Sequence, residues 1–291
     1  MTVVILTMLL SSLFLPRAEI IISLVISIHF CCITQKGGRK TSTISKIATE
    51  LKLKMEPVAI MFTDKKPEKA LQFKEGSWGC VGAMLVAAGK GKTAVFDRQS
   101  FGCLGGGVGL GFGDTFQDFP IECLLSKGDE AVTQLGREGD FSLGMGERFF
   151  ATPKLAQRWR ENLPYGDIES YVVCRPLREA SDLKKTDLIC FFVNPDQLSA
   201  LITLTGFQRG TRMNVIVPFG AACQSILFAY QEAKKELPQA VLGFFDISQR
   251  PRLEKDLLSF TVPYALYQEM EESVSESFFR TDAWEKVAAR L

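Results

Sequence analysis

From residue 57 onward, short apolar runs of strand character alternate with helical segments, and this alternation limits the fold more than any other feature of the chain. Pro57–Phe62, Thr93–Asp97, Tyr171–Arg175, Leu188–Val193, Val215–Val217, Val241–Phe245 and Phe260–Val262 are rich in β-branched and aromatic residues and read as strands. Helices are expected over Ser42–Leu53, Cys80–Ala88, Asp196–Gly206, Cys223–Lys235, Tyr264–Ser275 and Thr281–Leu291, and residues 120–160 read as largely helical. The expected fold is α/β or α+β, a mixed sheet with flanking helices, formed by residues 41–291 as a single domain. At 46% hydrophobic residues over 291 positions, the chain can bury a large core.

The second half echoes the first. Pro57–Phe62 is followed by a helix opened by Cys80 and then by strand Thr93–Asp97. Val215–Val217 is followed by a helix opened by Cys223 and then by strand Val241–Asp246. Phe96-Asp97 resembles Phe245-Asp246. Two related halves facing each other would bring Cys80 and Cys223 together; chance similarity is the competing account.

Residues 1–40 differ from the rest. Val3–Leu15 and Ile20–Ile33 are apolar runs separated by Pro16-Arg-Ala-Glu19, and a basic flank follows at Lys36, Arg39 and Lys40. Each run is shorter than the roughly 20 residues that cross a bilayer, and no Lys or Arg precedes the first, as a signal peptide would require. Two readings stand: a start placed upstream of the native one, or a short membrane anchor whose basic flank keeps the main body in the cytoplasm. On either reading the expected location of the domain is cytoplasmic, and a membrane is a partner only if the anchor is real.

Composition excludes several function classes. The one histidine, His29, lies in the N-terminal extension, so the main body has no Ser-His-Asp or Cys-His catalysis and no His-ligated zinc. Lys and Arg total 34 against 33 Asp and Glu, which argues against a broad nucleic-acid surface. Gly105-Gly-Gly-Val-Gly-Leu-Gly-Phe-Gly113 fits no dinucleotide-binding register, and Gly91-Lys-Thr93 lacks the rest of a P-loop, so no NAD or ATP motif is present. The eight cysteines include no C-x-x-C pair, which points to reduced thiols rather than a disulfide scaffold.

Three cysteines stand out by context. Cys80 follows Trp78-Gly79 and opens a helix; Cys103 follows Phe101-Gly102 and enters the glycine loop; Cys223 follows Gly220-Ala-Ala222 and opens a helix. A helix N-terminus favours a thiolate, and small neighbours leave room at the sulfur. Three thiolates from separate segments can hold a [4Fe–4S] cluster with one open iron, or a soft metal ion, although their spacings of 23 and 120 residues match no known cluster motif. Gly105, Gly106 and Gly107 allow backbone N–H groups to approach an anion or a cluster sulfide, or simply pack tightly. Cys123, Cys174 and Cys190 read as buried and inert. Asp97, Arg98, Asp246 and Arg250, at strand ends, read as surface ion pairs.

From about Ser45 onward the chain resembles domain of unknown function 169, also called ArCR. The resemblance is carried by Pro57-Val-Ala-Ile60, Trp78-Gly-Cys80, Phe101-Gly-Cys-Leu-Gly-Gly106, Leu143-Gly-Met-Gly-Glu-Arg148, Tyr171–Leu177, Asn194-Pro195, Ala222-Cys-Gln224 and Gly243-Phe-Phe-Asp246. It implies cysteines at positions 80, 103 and 223, and it implies no reaction. The leading expectation is metal or cluster binding with a redox or cofactor-handling role, whose partner would be a small molecule or a redox protein. The alternatives are a non-catalytic module holding a small ligand between its halves, near the glycine loop, Trp78 and Phe101, and an enzyme with a cysteine nucleophile and no histidine.

Overall fold

The structure, a computed structural model, describes residues 44–74, 79–101, 109–112, 120–128, 146–166, 168, 171–180 and 185–291. Seven strands form one mixed sheet: β1 (Val58–Thr63), β2 (Ala94–Phe96), β3 (Tyr171–Pro176), β4 (Leu188–Val193), β5 (Val215–Ile216), β6 (Ala240–Gly243) and β7 (Leu258–Pro263). Their order is β2-β3-β1-β4-β7-β6-β5. The flanking helices are α1 (Lys46–Glu50), α2 (Val81–Gly89), α3 (Ile121–Leu124), α4 (Pro153–Glu161), α5 (Pro195–Thr205), α6 (Gln224–Glu232), α7 (Tyr264–Ser273) and α8 (Asp282–Ala288). The fold is α/β, as the alternation predicts.

The strand β4, Leu-Ile-Cys-Phe-Phe-Val, is buried on both faces, which is why it reads as an unbroken apolar run. Leu188, Cys190 and Phe192 join Val81 and Leu85 of α2 and Ile226 of α6 in one core. Ile189, Phe191 and Val193 join Leu51, Leu201, Leu266 and Trp284 in the other, under α1, α5, α7 and α8. Two-residue alternation along a strand thus sorts one run into two cores. In the second core Tyr267, Phe279 and Trp284 are buried and Phe278 packs against them, so the C-terminal aromatics belong to the interior. Asn194 and Gln197 form a reciprocal capping box at the start of α5, and Gln197 Nε2 also donates to Leu51 O at 2.9 Å.

The sheet has an internal two-fold relation. β1 and β4 pair antiparallel with Val58 opposite Cys190, Ala59 opposite Ile189 and Ile60 opposite Leu188, a register symmetric about the central pair. Outward on one side, β1 places Ile60 opposite Cys174 of β3, and β3 places Cys174 opposite Ala94 of β2. On the other, β4 places Cys190 opposite Thr261 of β7, and β7 places Thr261 opposite Val241 of β6. Even the edges correspond: Leu71 bridges parallel to Ala94, and Ile216 of β5 pairs parallel with Val241. The halves are related, with α2 and α6 as equivalents.

Three boundaries differ from expectation. The short echo Phe96-Asp97 with Phe245-Asp246 is out of register, because Phe96 faces Val172 and its equivalent facing Ser259 is Gly243. The strand β6 ends at Gly243 because Phe244 takes φ 71° and leaves extended space. Residues 146–152 are not helical. Gly146 has φ 66°, and a Cβ there would run into the backbone of Ser126 to Gly128, so the chain turns tightly between α3 and α4. Among the described residues, no helix is long and apolar enough to cross a membrane; the apolar runs of residues 1–40 lie outside them.

Candidate functional site

The residues immediately preceding α2 and α6 are Cys80 and Cys223, which occupy the two N-caps. Both are buried. Neither side chain makes a capping hydrogen bond to its own helix. The first turn of α2 lies against the residue just before Cys223: a Cβ on Gly82 would stand 2.7 Å from the Ala222 Cβ. Gly82 is therefore what allows the two helix starts to meet. Two facing halves are expected to bring Cys80 and Cys223 together; the contact the structure shows is between their neighbours, Gly82 and Ala222.

The halves also reach across one another. Phe244, which follows β6, lays its ring 3.1 Å from the position of a Gly82 Cβ on α2. Conversely Gly109, from the long connection after β2, approaches Leu227 of α6 at 3.1 Å by the same measure. Each cysteine helix is thus packed by a connection from the opposite half. Before α6, Gln224 folds its side chain back to accept from the Ala221 N–H at 2.8 Å. A Cβ on Gly220 would displace that Gln224 amide from its hydrogen bond.

Two carboxyl groups stand at this seam. Asp246 is 3% exposed, so it is no surface ion pair. Burial pushes its carboxyl up from 3.8 to about 6, against the smaller lowering effects of its own backbone and the Ala222 N–H; nearby Glu147 raises it further and the Arg250 charge lowers it. The Arg250 guanidinium does not pair with it. It donates instead to Leu257 O at 2.6 Å and Lys255 O at 2.7 Å, in its own loop. Among the described residues, Asp246 Oδ1 is buried with no hydrogen-bond partner. Glu147 is half-buried and its carboxyl is also raised, by burial first and against a hydrogen bond from Ser248. It sits between Gly146 and Arg148, both at positive φ. In the first half, by contrast, Asp97 caps its own turn: Oδ1 accepts from Gln99 N at 3.0 Å and Ser100 N at 2.7 Å. Arg98 donates to Gly111 O at 2.6 Å rather than to a carboxylate.

The other cysteines fall into two groups. Cys174 and Cys190 are fully buried in β3 and β4, and burial raises both thiols, Cys190 to about 12. Their burial is what their strand positions suggest, and it disfavours the reactive thiolate. Cys123 on α3 is only half-buried, contrary to expectation, because α3 is a short helix with Ile121 its one buried residue. Cys103, Gly105, Gly106, Gly107 and Trp78 lie outside the described residues. Phe101 is half-buried and packs against Phe112 with ring centroids 6.0 Å apart.

A family model described as uncharacterised ArCR, domain of unknown function 169, matches residues 46–273. The chain belongs to this family. Comparison with curated proteins and with solved structures gave no match. The match covers both cysteine helices, the Gly146–Arg148 turn and the Phe244–Asp246 turn. Of the residues at the seam, sequence reasoning singles out the cysteines, reads Asp246 as a surface ion pair and passes over Glu147. Glu147 and Asp246 do lie in two of the stretches that carry the family resemblance, but nothing in composition or spacing says that they converge.

Proposed function

We propose that this protein binds an iron–sulfur cluster or a soft metal ion through the thiolates of Cys80, Cys103 and Cys223, in a redox or cofactor-handling role. The observation that supports this most is the contact of Gly82 with Ala222, which gathers two cysteine-led helix starts at the seam of two related halves. Each cysteine also directly precedes the first turn of its helix, the end to which the amide dipoles point. The donor set is all sulfur, the chemistry that selects Fe–S clusters, Cu(I) or Zn²⁺ over hard cations. Among the described residues, no three Cys, His, Asp or Glu side chains converge closely enough to hold a metal. The reading therefore requires a ligand from outside them, and Cys103 on the glycine-rich loop is the one proposed. Gly105, Gly106 and Gly107 would let backbone N–H groups reach the cluster sulfides.

The test is purification without oxygen, followed by an absorption spectrum from 300 to 500 nm and elemental analysis for iron, zinc and copper. Stoichiometric metal, lost in each of Cys80→Ser, Cys103→Ser and Cys223→Ser, is the expected result. Unchanged stoichiometry in all three variants, or a colourless and metal-free wild type, would overturn it. In the second case thiol alkylation separates a nucleophilic cysteine from a packed one, since a nucleophile reacts fast while Cys174 and Cys190 stay silent.

A further inference from the structure

The Ala222 N–H and its own backbone account for one oxygen of the Asp246 carboxyl and leave the other unexplained. The carboxyl is buried, among the described residues its Oδ1 has no hydrogen-bond partner, and the Arg250 guanidinium, whose charge lowers the carboxyl a little, gives its hydrogen bonds to two carbonyls of its own loop. A buried carboxylate with an unmet acceptor costs folding free energy. The backbone that delivers it is strained as well. Phe244, two residues earlier, is a bulky and fully buried side chain held at φ 71°. Its ring is fixed between Gly82 and Phe192, with centroids 6.2 Å apart in the latter pair. Glu147 stands near enough to raise the Asp246 carboxyl, and it is carried by a segment in which Gly146 and Arg148 both have positive φ. Strain of this kind gathers where a fold presents groups to a ligand. Two converging carboxyl groups repel an anion and leave an acceptor open, so the missing partner is a donor.

We propose that Asp246, backed by Glu147, is the recognition group for a small cationic nitrogen ligand, an ammonium or amidinium group, bound where the two halves meet beside Cys223. The open Oδ1 receives an N–H of the ligand, the oxygen facing the Ala222 N–H stays as it is, and Glu147 adds longer-range attraction for the positive charge. This site does not depend on the metal reading: it would exist with or without a cluster at the thiols.

The probe is methylammonium chloride, titrated against the full-length protein at pH 7.5 while thermal unfolding is followed. Sodium chloride at equal ionic strength and sodium acetate are the controls. The expected result is a saturable rise in Tm with methylammonium alone. In Asp246→Asn the apparent Kd should weaken about tenfold or more, the loss expected when a charge-assisted hydrogen bond is removed. Glu147→Gln should weaken it less. The ligand-free Asp246→Asn protein should also melt higher than wild type, because it no longer buries an unpaired charge. Several results would overturn the proposal: no saturable rise, equal rises in wild type and Asp246→Asn, equal stabilisation by acetate, or an Asp246→Asn protein that fails to fold and so reveals a structural role. Metal content measured on the same samples keeps the two proposals apart, since Asp246→Asn should leave it unchanged.

Discussion

The approach of α2 to the Cys223 segment depends on a hydrogen atom at position 82, and Gly82→Ala tests it. The added Cβ would stand 2.7 Å from the Ala222 Cβ and 3.1 to 3.2 Å from two carbons of the Phe244 ring. Favourable carbon contacts lie at about 3.5–4.0 Å, so the helix start must retreat by roughly 1 Å. None of these neighbours can swing away. Ala222 has no side-chain torsion, and Phe244 is fully buried against Phe192. Overpacking of this kind costs about 1–3 kcal/mol, and the higher helix propensity of Ala returns up to about 1 kcal/mol. The net expectation is a loss of about 1–2 kcal/mol, or roughly 2–8 °C in Tm for a domain of this size. Ala222→Gly in the same chain removes the main clash. In urea unfolding it should recover about half or more of the loss, while Ala222→Gly alone should be mildly destabilising through backbone entropy. A Gly82→Ala protein as stable as wild type, or a double variant with simply additive effects, would refute the contact. If the contact holds, Gly82→Ala should also weaken metal retention without touching a cysteine.

The Asp246 carboxyl carries a pH signature opposite to that of an ion-paired acid. Its folded pKa of about 6 exceeds the ordinary 3.8, so between these values the folded state holds more protons. Its contribution therefore grows more destabilising as pH rises through about 6, by about 3 kcal/mol at most. The stability gain of Asp246→Asn over wild type should be large at pH 8 and vanish near pH 4; a gain that did not vary with pH would contradict this. At β6, Gly243→Ala should destabilise by about 1–3 kcal/mol, because its Cβ would strike Ser225 Oγ, which shares a hydrogen bond with Ser259 Oγ. Ser225→Gly in the same chain should relieve the clash, and chemical denaturation reads both. Glu271 on α7 accepts from Lys46 N at 2.9 Å, Ile47 N at 3.2 Å and the Ser45 and Tyr267 hydroxyls, closing the start of α1. Glu271→Ala should cost about 2 kcal/mol and raise hydrogen exchange at residues 46–50 ahead of the sheet; uniform exchange would argue against a local cap.

Most of the architecture was legible because its signals are local. The strands β4 and β7 and the helices α2, α5 and α6 each carry their own apolar run or capping residues, and they form close to where those signals lie. The internal repeat was visible as a strand–helix–strand echo. Its register was not, because register is set by cross-strand partners that sequence similarity does not report. Phe96 is matched by Gly243, a residue that must be small to admit Ser225, so side-chain identity misleads where packing differs. The turn at 146–148 escaped notice for a related reason. Helical composition on both sides suggested one long segment, and the break comes from the backbone of Ser126 to Gly128 pressing on Gly146. Asp246 reads as a surface ion pair from its place at a strand end, but it is buried, and the Arg250 guanidinium turns to the carbonyls of its own loop.

The two-fold relation explains why chemistry should collect at this seam. A repeat of strand, helix and strand with its partner strand places each helix start at an equivalent point. Antiparallel pairing of β1 with β4, centred on Ala59 and Ile189, turns those points toward one another. Symmetry then accounts for a cysteine at each helix start, and it cannot account for the carboxyl groups. In the register of the sheet, the turn after β2 uses Asp97 to cap its own backbone, while the turn after β6 buries Asp246 at the cost of a strained Phe244. A duplicated scaffold has no packing reason to make that turn harder in one half only. The difference is intelligible if the common framework gathers two thiols and the departure from symmetry adds an acceptor that discriminates what binds beside them. On that account the double variant Asp246→Asn with Glu147→Gln should retain metal yet lose its preference for methylammonium over sodium, separating the symmetric function from the asymmetric one.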